Sequence, residues 1–203
     1  MVLPTEDSAV ADASLAEQVM ALEGALATNP VVSAILQHIP RLGLAGWYLG
    51  AGGVTGTVWN VLHGFDPTYG IKDYDLVYFD SDDLSADGET ATERRVRETV
   101  ADVDVELDVT NEARVHLWYP QRFGRTIPPY RSTEHAISTW PTTASSIGVR
   151  HDGSSLVVCA PFGLHDLFAM VVRPNKALID EHIYNDKASR WANHWPRLRI
   201  VPW

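Results

Sequence analysis

The sequence predicts an α/β fold, a short mixed β-sheet flanked by helices, and three stretches carry that prediction. Residues 44–49 (LAGWYL) are a short apolar run closed by Gly50, Gly52 and Gly53, after which Val54, Val58, Val61 and Leu62 recur at helical spacing. Residues 73–79 (DYDLVYF) are rich in β-formers. Residues 103–109 alternate, with Val103, Val105, Leu107 and Val109 against Asp104, Glu106 and Asp108, the period of a half-buried strand.

The elements follow in chain order. Residues 1–13 are small and acidic and read as a flexible tail, ahead of one domain over residues 14–203. Within that domain the reading places a helical cap at 14–43, a core at 44–172 and a C-terminal helical segment at 173–203. Ser14 and Glu17 form a capping box before Leu15, Val19, Leu22 and Leu26, and Pro30 opens a second helix that stops before Pro40. The first central strand is expected over 44–49, then the glycine turn, and a helix from Val54 to a stop at His63-Gly64. Residues 64–72 (GFDPTYGIK) read as a loop.

Residues 80–108 carry eleven carboxylates against Arg94, Arg95 and Arg97, with a helix expected over 92–100. Asp83-x-Ser85-x-Asp87-Gly88 begins like a calcium loop, but Arg94 stands where the bidentate Glu belongs, so it reads as a turn capping that helix. Asn111 can cap a short helix through Arg114, Val115 and Trp118 that ends before Pro120. Residues 120–133 read as a proline-rich basic loop, and 147–150 with 156–160 as a hairpin across His151-Asp152-Gly153-Ser154. The apolar run 162–172 reads as a helix, and 184–195 as another, with Trp191, Trp195 and Trp203 as anchors onto the core.

At 203 residues and 45% hydrophobic content the chain can bury a proper core. A net charge of −10, from 16 basic and 26 acidic residues, argues against duplex DNA, whose binding rests on basic side chains releasing counterions. Residues 173–203 run the other way, with six Arg or Lys against three Asp or Glu. Cys159, the one cysteine, sits in an apolar run and reads as a small hydrophobe. With neither a basic leader nor a long apolar segment, the expectation is no signal peptide, no membrane span and a cytoplasmic location. The eight histidines show no HExxH spacing, which excludes that class of zinc hydrolase.

The chemistry concentrates in two places. Glycines after a strand let backbone N–H groups approach a phosphate, and the following helix N-terminus favours negative charge. The spacing fits neither the dinucleotide fingerprint nor the P-loop, which needs a lysine. Asp73 and Asp75, two apart at a strand start, project from one face and suit a shared hard cation. The acidic face of residues 103–109 offers a third carboxylate from Asp104, Glu106 or Asp108.

This order of parts resembles the DNA polymerase β-type nucleotidyltransferase superfamily, and more closely a bacterial family of small nucleotidyltransferase-like proteins. The carriers are AGGVTGTVWNVLHG (51–64), DYDLVYFD (73–80), VTNEARVHLWY (109–119), WPTTASSIGVR (140–150) and APFGLHDLF (160–168). The resemblance implies a polymerase β-like fold with N- and C-terminal helical additions. It also implies Mg²⁺- or Mn²⁺-dependent transfer of a nucleoside monophosphate from an NTP to an unknown acceptor. Asp73, Asp75 and Asp108 then look like the catalytic, metal-binding carboxylates, with Asp108 also as base. Gly50, Gly52, Gly53, Thr55, Thr57, Asn111 and Arg114 would bind the nucleotide, although a structural salt bridge serves Arg114 equally well. The relatives typically carry Arg-Asn where this chain has Thr55-Gly56, and Gln where it has Glu112. A missing basic residue beside the turn keeps a second reading open, an inactive nucleotide- or metal-binding module.

Overall fold

A computed structural model describes residues 6–103 and 105–203. At its centre lies a five-stranded mixed sheet in the order β3-β2-β1-β4-β5, with β1 Tyr48–Gly50, β2 Tyr74–Tyr78, β3 Leu107–Asn111, β4 Gly148–Asp152 and β5 Ser155–Cys159. Only the β2–β3 pair is parallel; β1 runs antiparallel to both β2 and β4, and β4 to β5. The register sets Gly50 opposite Asp75 and Asp75 opposite Asp108, so the glycine turn and two acidic residues meet at one corner of the sheet.

One face of the sheet packs on the large core. Tyr74, Leu76 and Tyr78 of β2 enter it beside Leu49 of β1, Leu107 and Val109 of β3, and Val54, Val58 and Trp59 of the helix α4 (Ala51–His63). The other face presents Asp75 and Val77, the latter packed with Tyr48 and Ile137. The two-residue side-chain period of β2 therefore buries its apolar set on one side and turns Asp75 to the other.

The helical cap forms as its signals dictate. α2 (Leu15–Ala27) opens on the Ser14/Glu17 capping box, and α3 (Pro30–His38) has Pro30 in its first turn and Asn29 as N-cap. Asn29 also donates to Thr57 Oγ1, to the Pro67 carbonyl and to the Tyr74 hydroxyl, tying the loop ahead of β2 to the helices. The segment expected to be a flexible tail carries α1 (Glu6–Ala11); Ala11 is buried, and its carbonyl accepts from Gln18 Nε2 at 2.7 Å. Residues 1–5 of that expected tail lie outside the described residues.

Several boundaries differ from expectation; the helix expected over 92–100 already begins at Ala86, because the Ser85 hydroxyl accepts from the Gly88 N–H and caps it there. β1 is only three residues long, because Gly46 turns the chain at a φ of 55° just before it. The acidic strand begins at Leu107 and not at Val103. Val103 and Val105 are held in turns by their N–H groups and pack on the core beside Val100, where α5 (Ala86–Thr99) ends; their alternation records loop packing. α6 (Val115–Phe123) continues through Pro120, since Val115, Tyr119 and Phe123 share one packed stripe that outweighs one lost backbone bond. The run 162–172 holds only the four-residue α8 (His165–Phe168). Positive φ at Gly163 and Met170 bounds it, and Val171–Val172 (β6) then pairs with Arg199–Ile200 (β7).

A short α7 (Thr133–Ile137) crosses the second face of the sheet. α9 (Glu181–His194) closes the structure, and its tryptophans are its anchors. Trp191 and Trp195 make edge contacts with Trp59 at 5.1 and 5.3 Å, and the Trp195 indole donates to Asn60 Oδ1 at 2.7 Å. Trp203 packs beside Tyr184. No single helix among the described residues is long and apolar enough to cross a membrane.

Candidate functional site

Gly50 is the N-cap of α4, and Gly52 and Gly53 lie inside its first turn rather than in a loop ahead of it. The three glycines serve different ends. A Cβ on Gly50 would come within 2.6 Å of the Trp140 ring and 2.7 Å of the Ile147 carbonyl, and one on Gly53 within 2.7 Å of the Tyr74 ring. Both are small because something packs on them. Gly52 faces open space. Between them Ala51 adopts a φ of 46°, a left-handed conformation that costs a non-glycine residue of order 1 kcal/mol or more and clusters at functional sites. The Ala51 N–H donates to the Ile147 carbonyl, and the Gly52 N–H to the Asp75 carboxylate.

Asp75 is the centre of the site. Burial pushes its carboxyl up to about 6, with Asp73 and Asp108 adding to the rise while Lys187 and the Gly52 N–H oppose it. Asp73 stands one residue before β2, half-exposed, with Lys72 Nζ at 3.6 Å. Asp108 is exposed on β3 and accepts a hydrogen bond from Thr110 at 3.4 Å. Among the described residues no three Asp, Glu, His or Cys side chains stand close enough to hold a metal ion. The donor set nonetheless fits Mg²⁺ or Mn²⁺: all three residues offer hard carboxylate oxygens, Asp73 and Asp108 raise the proton affinity of Asp75, and a divalent cation would relieve that repulsion.

Two cavities meet at Asp75 and Lys187. The first, about 480 Å³, is cationic: Gly52 and Asp73 lie on one side, and Lys72, Lys187, Arg190 and His194 supply positive or protonatable groups. Lys187 sits over the Trp191 ring at 4.8 Å; burial lowers its proton affinity, Asp75 opposes that, and Arg190 adds to it. The second, about 300 Å³, is aromatic and acidic, with Trp118, Tyr119, Tyr130 and Trp140 in its walls and Asp108 and Glu112 beside Asp75. Glu112 is 5% exposed, and burial, reinforced by Asp75, pushes its carboxyl up to about 8 despite a hydrogen bond from Trp140.

The remaining sequence candidates lie elsewhere. Thr55 and Thr57 are buried and return their hydroxyls to the Ala51 and Gly53 carbonyls of their own helix, at 2.8 and 2.7 Å. Asn111 accepts from the Asp80 and Ala113 N–H groups and donates to the Asp80 carbonyl, while Arg114 pairs with Glu89 and donates to the Leu84 carbonyl. Both fasten the 80–89 segment to the end of β3, and neither lines either of these two cavities. Asp104 lies outside the described residues, and Glu106 is exposed ahead of β3, where its carbonyl accepts from Tyr74 N–H. Cys159 is half-buried, with its thiol pushed up to about 11 by burial. Sequence reasoning missed Lys187, Arg190 and the cavity role of Glu112; the basic excess of residues 173–203 was the available signal for the first two.

Comparison with known proteins agrees with this fold. A protein solved by NMR and described as revealing a CCA-adding enzyme head domain superposes with a TM-score of 0.72 at 25% identity, covering 96% of this chain and 100% of its own. None of the curated proteins matches. The family model described as nucleotidyltransferase matches residues 37–200, which span the sheet, both cavities and α9; the chain belongs to that nucleotidyltransferase family.

Proposed function

We propose that the chain transfers a nucleoside monophosphate from an NTP to a hydroxyl of an acceptor and releases pyrophosphate, with a divalent cation. The observation that carries the reading is the corner where Asp75 and Asp108 pair in register between a cationic and an aromatic cavity. Asp73, Asp75 and Asp108 would hold Mg²⁺ or Mn²⁺, which when bound supplies charge neutralisation for the phosphates and acidifies the acceptor hydroxyl. Gly52, at the α4 N-terminus, and Lys187, Arg190 and Lys72 bind the triphosphate, replacing the basic residue that Thr55-Gly56 lacks. The acceptor occupies the other cavity beside Asp108. Its oxygen attacks the α-phosphorus, the bond from that phosphorus to the pyrophosphate oxygen breaks, and Asp108 takes the hydroxyl proton. Positioning and charge carry the rate, because the protein has little covalent work to do.

The test is pyrophosphate release from each of the four NTPs with Mg²⁺ or Mn²⁺. Release by the wild type that disappears in Asp75→Asn is expected; neither release nor nucleotide binding by the wild type would sink the reading. One observation favours the alternative, a binding module without turnover: the N–H groups of Ala51 and Gly52 are already engaged by Ile147 and Asp75. Thermal stabilisation by NTP without pyrophosphate release distinguishes it.

A further inference from the structure

The aromatic cavity has a chemistry that the transfer reaction alone does not require. At about 300 Å³ it has room for a compact molecule. Trp118, Tyr119, Tyr130 and Trp140 present ring surface, and rings of this kind attract cations through their negative faces. Glu112 is buried among them, just past β3 in the 3₁₀ turn Glu112–Arg114.

Among the described residues no Lys, Arg or His lies within ion-pair distance of Glu112. The two cations at the cavity are committed elsewhere. Arg122 lies over the Trp118 and Phe123 rings at 5.9 and 5.5 Å, and Lys187 lies over Trp191 beside Asp75. Divalent cations at Asp75 and Asp108 would leave Glu112 as a buried carboxyl whose one described partner is the neutral Trp140 side chain. A carboxylate buried without a countercharge is costly, and a ligand that brings one favours the ionised form and pairs with it.

We infer that the cavity takes a small alcohol bearing an ammonium group next to a flat apolar body, with the ammonium on Glu112, the apolar part between Trp118, Tyr130 and Trp140, and the hydroxyl toward Asp108. This rests on the reading of the second cavity as the acceptor site and names the acceptor's class. A nucleobase seat is the competing use of the same space.

The test compares 2-amino-1-phenylethanol with 1-phenylethane-1,2-diol, which exchange an ammonium for a hydroxyl, by calorimetry at pH 7 with Mg²⁺ and a non-hydrolysable ATP analogue present. The wild type is expected to bind the amine about tenfold or more tightly than the diol, the weight of a charge-assisted hydrogen bond. That preference should vanish in Glu112→Gln, with ATP-analogue affinity unchanged. Equal binding of the two compounds, binding of neither, displacement of the amine by adenosine, or a preference that survives in Glu112→Gln would each overturn the inference. The wild-type comparison stands even if the variant fails to fold. ATP-analogue binding is read separately: its loss strikes the transfer reading, whereas its presence without amine preference strikes only this one.

Discussion

The two cavities share Asp75 and Lys187 and differ in almost everything else. The cationic one is built from the start of α4, the loop before β2, and α9, so its charges come from residues more than a hundred positions apart in the chain. The aromatic one is built from β3, α6 and the segment around Trp140, and its charged walls are mainly carboxylates. One suits a polyanion and the other repels it. The proposed transfer of a nucleoside monophosphate from a triphosphate to an uncharged or cationic acceptor would use that asymmetry, with the carboxylates at the boundary.

The largest effect is expected at the boundary itself. Asp75→Asn should lower turnover by roughly 10³-fold or more, the scale of losing a group that stabilises transition-state charge. Its circular dichroism spectrum should be unchanged. Its melting temperature at pH 8 should not fall, because the buried carboxyl is raised to about 6 and its ionised form is a cost to the fold there.

Next comes the cationic side. Arg190→Ala, at a residue that lines only the cationic cavity, should weaken NTP binding about 10- to 100-fold, as expected for a hydrogen-bonded cation, and leave acceptor binding as it was. Equal losses of both ligands would break the division between the cavities.

Glu112→Gln sharpens the contrast through pH. The Glu112 carboxyl is pushed from an ordinary 4.5 up to about 8, so the unfolded chain releases this proton first and the fold loses stability as pH rises between those values. In metal-free buffer the variant should escape that loss and exceed the wild type at pH 8 by on the order of 4 kcal/mol in urea unfolding. At pH 4 the two should nearly coincide. The smallest effects separate two glycines. Gly50→Ala drives a methyl into Trp140 and the Ile147 carbonyl, and should cost about 1–3 kcal/mol by overpacking while disturbing the aromatic cavity. Gly52→Ala, which points into open space, should change stability by only a few tenths of a kcal/mol and be read instead as weaker NTP binding.

Much of this fold was legible because the chain states it locally. The capping box at Ser14, Pro30, the αL glycine at position 64 and the β-formers of residues 73–79 each act through their own neighbours. The corner at Asp75 was legible too, since strand, turn, helix and Asp-x-Asp fall in sequence order. What the sequence hid depends on contacts across the chain. Thr55 and Thr57 look like phosphate ligands until the helix face they occupy is seen to be buried. Asn111 and Arg114 look available until the 80–89 segment folds against them. Lys187 reaches the site only because Trp191 and Trp195 lock α9 onto Trp59. Glu112 looks like one more surface acid in an acidic chain, and only the walls raised by α6 and Trp140 make it a buried one.

The most direct test of the two-cavity account is a crystal soaked with Mn²⁺ and a non-hydrolysable NTP, with manganese located by its anomalous signal. The account predicts manganese at Asp75 with Asp73 or Asp108, and phosphates against Gly52, Lys187 and Arg190. Phosphates lodged beside Glu112 and Trp140, or a nucleotide bound with no manganese at Asp75, would contradict it.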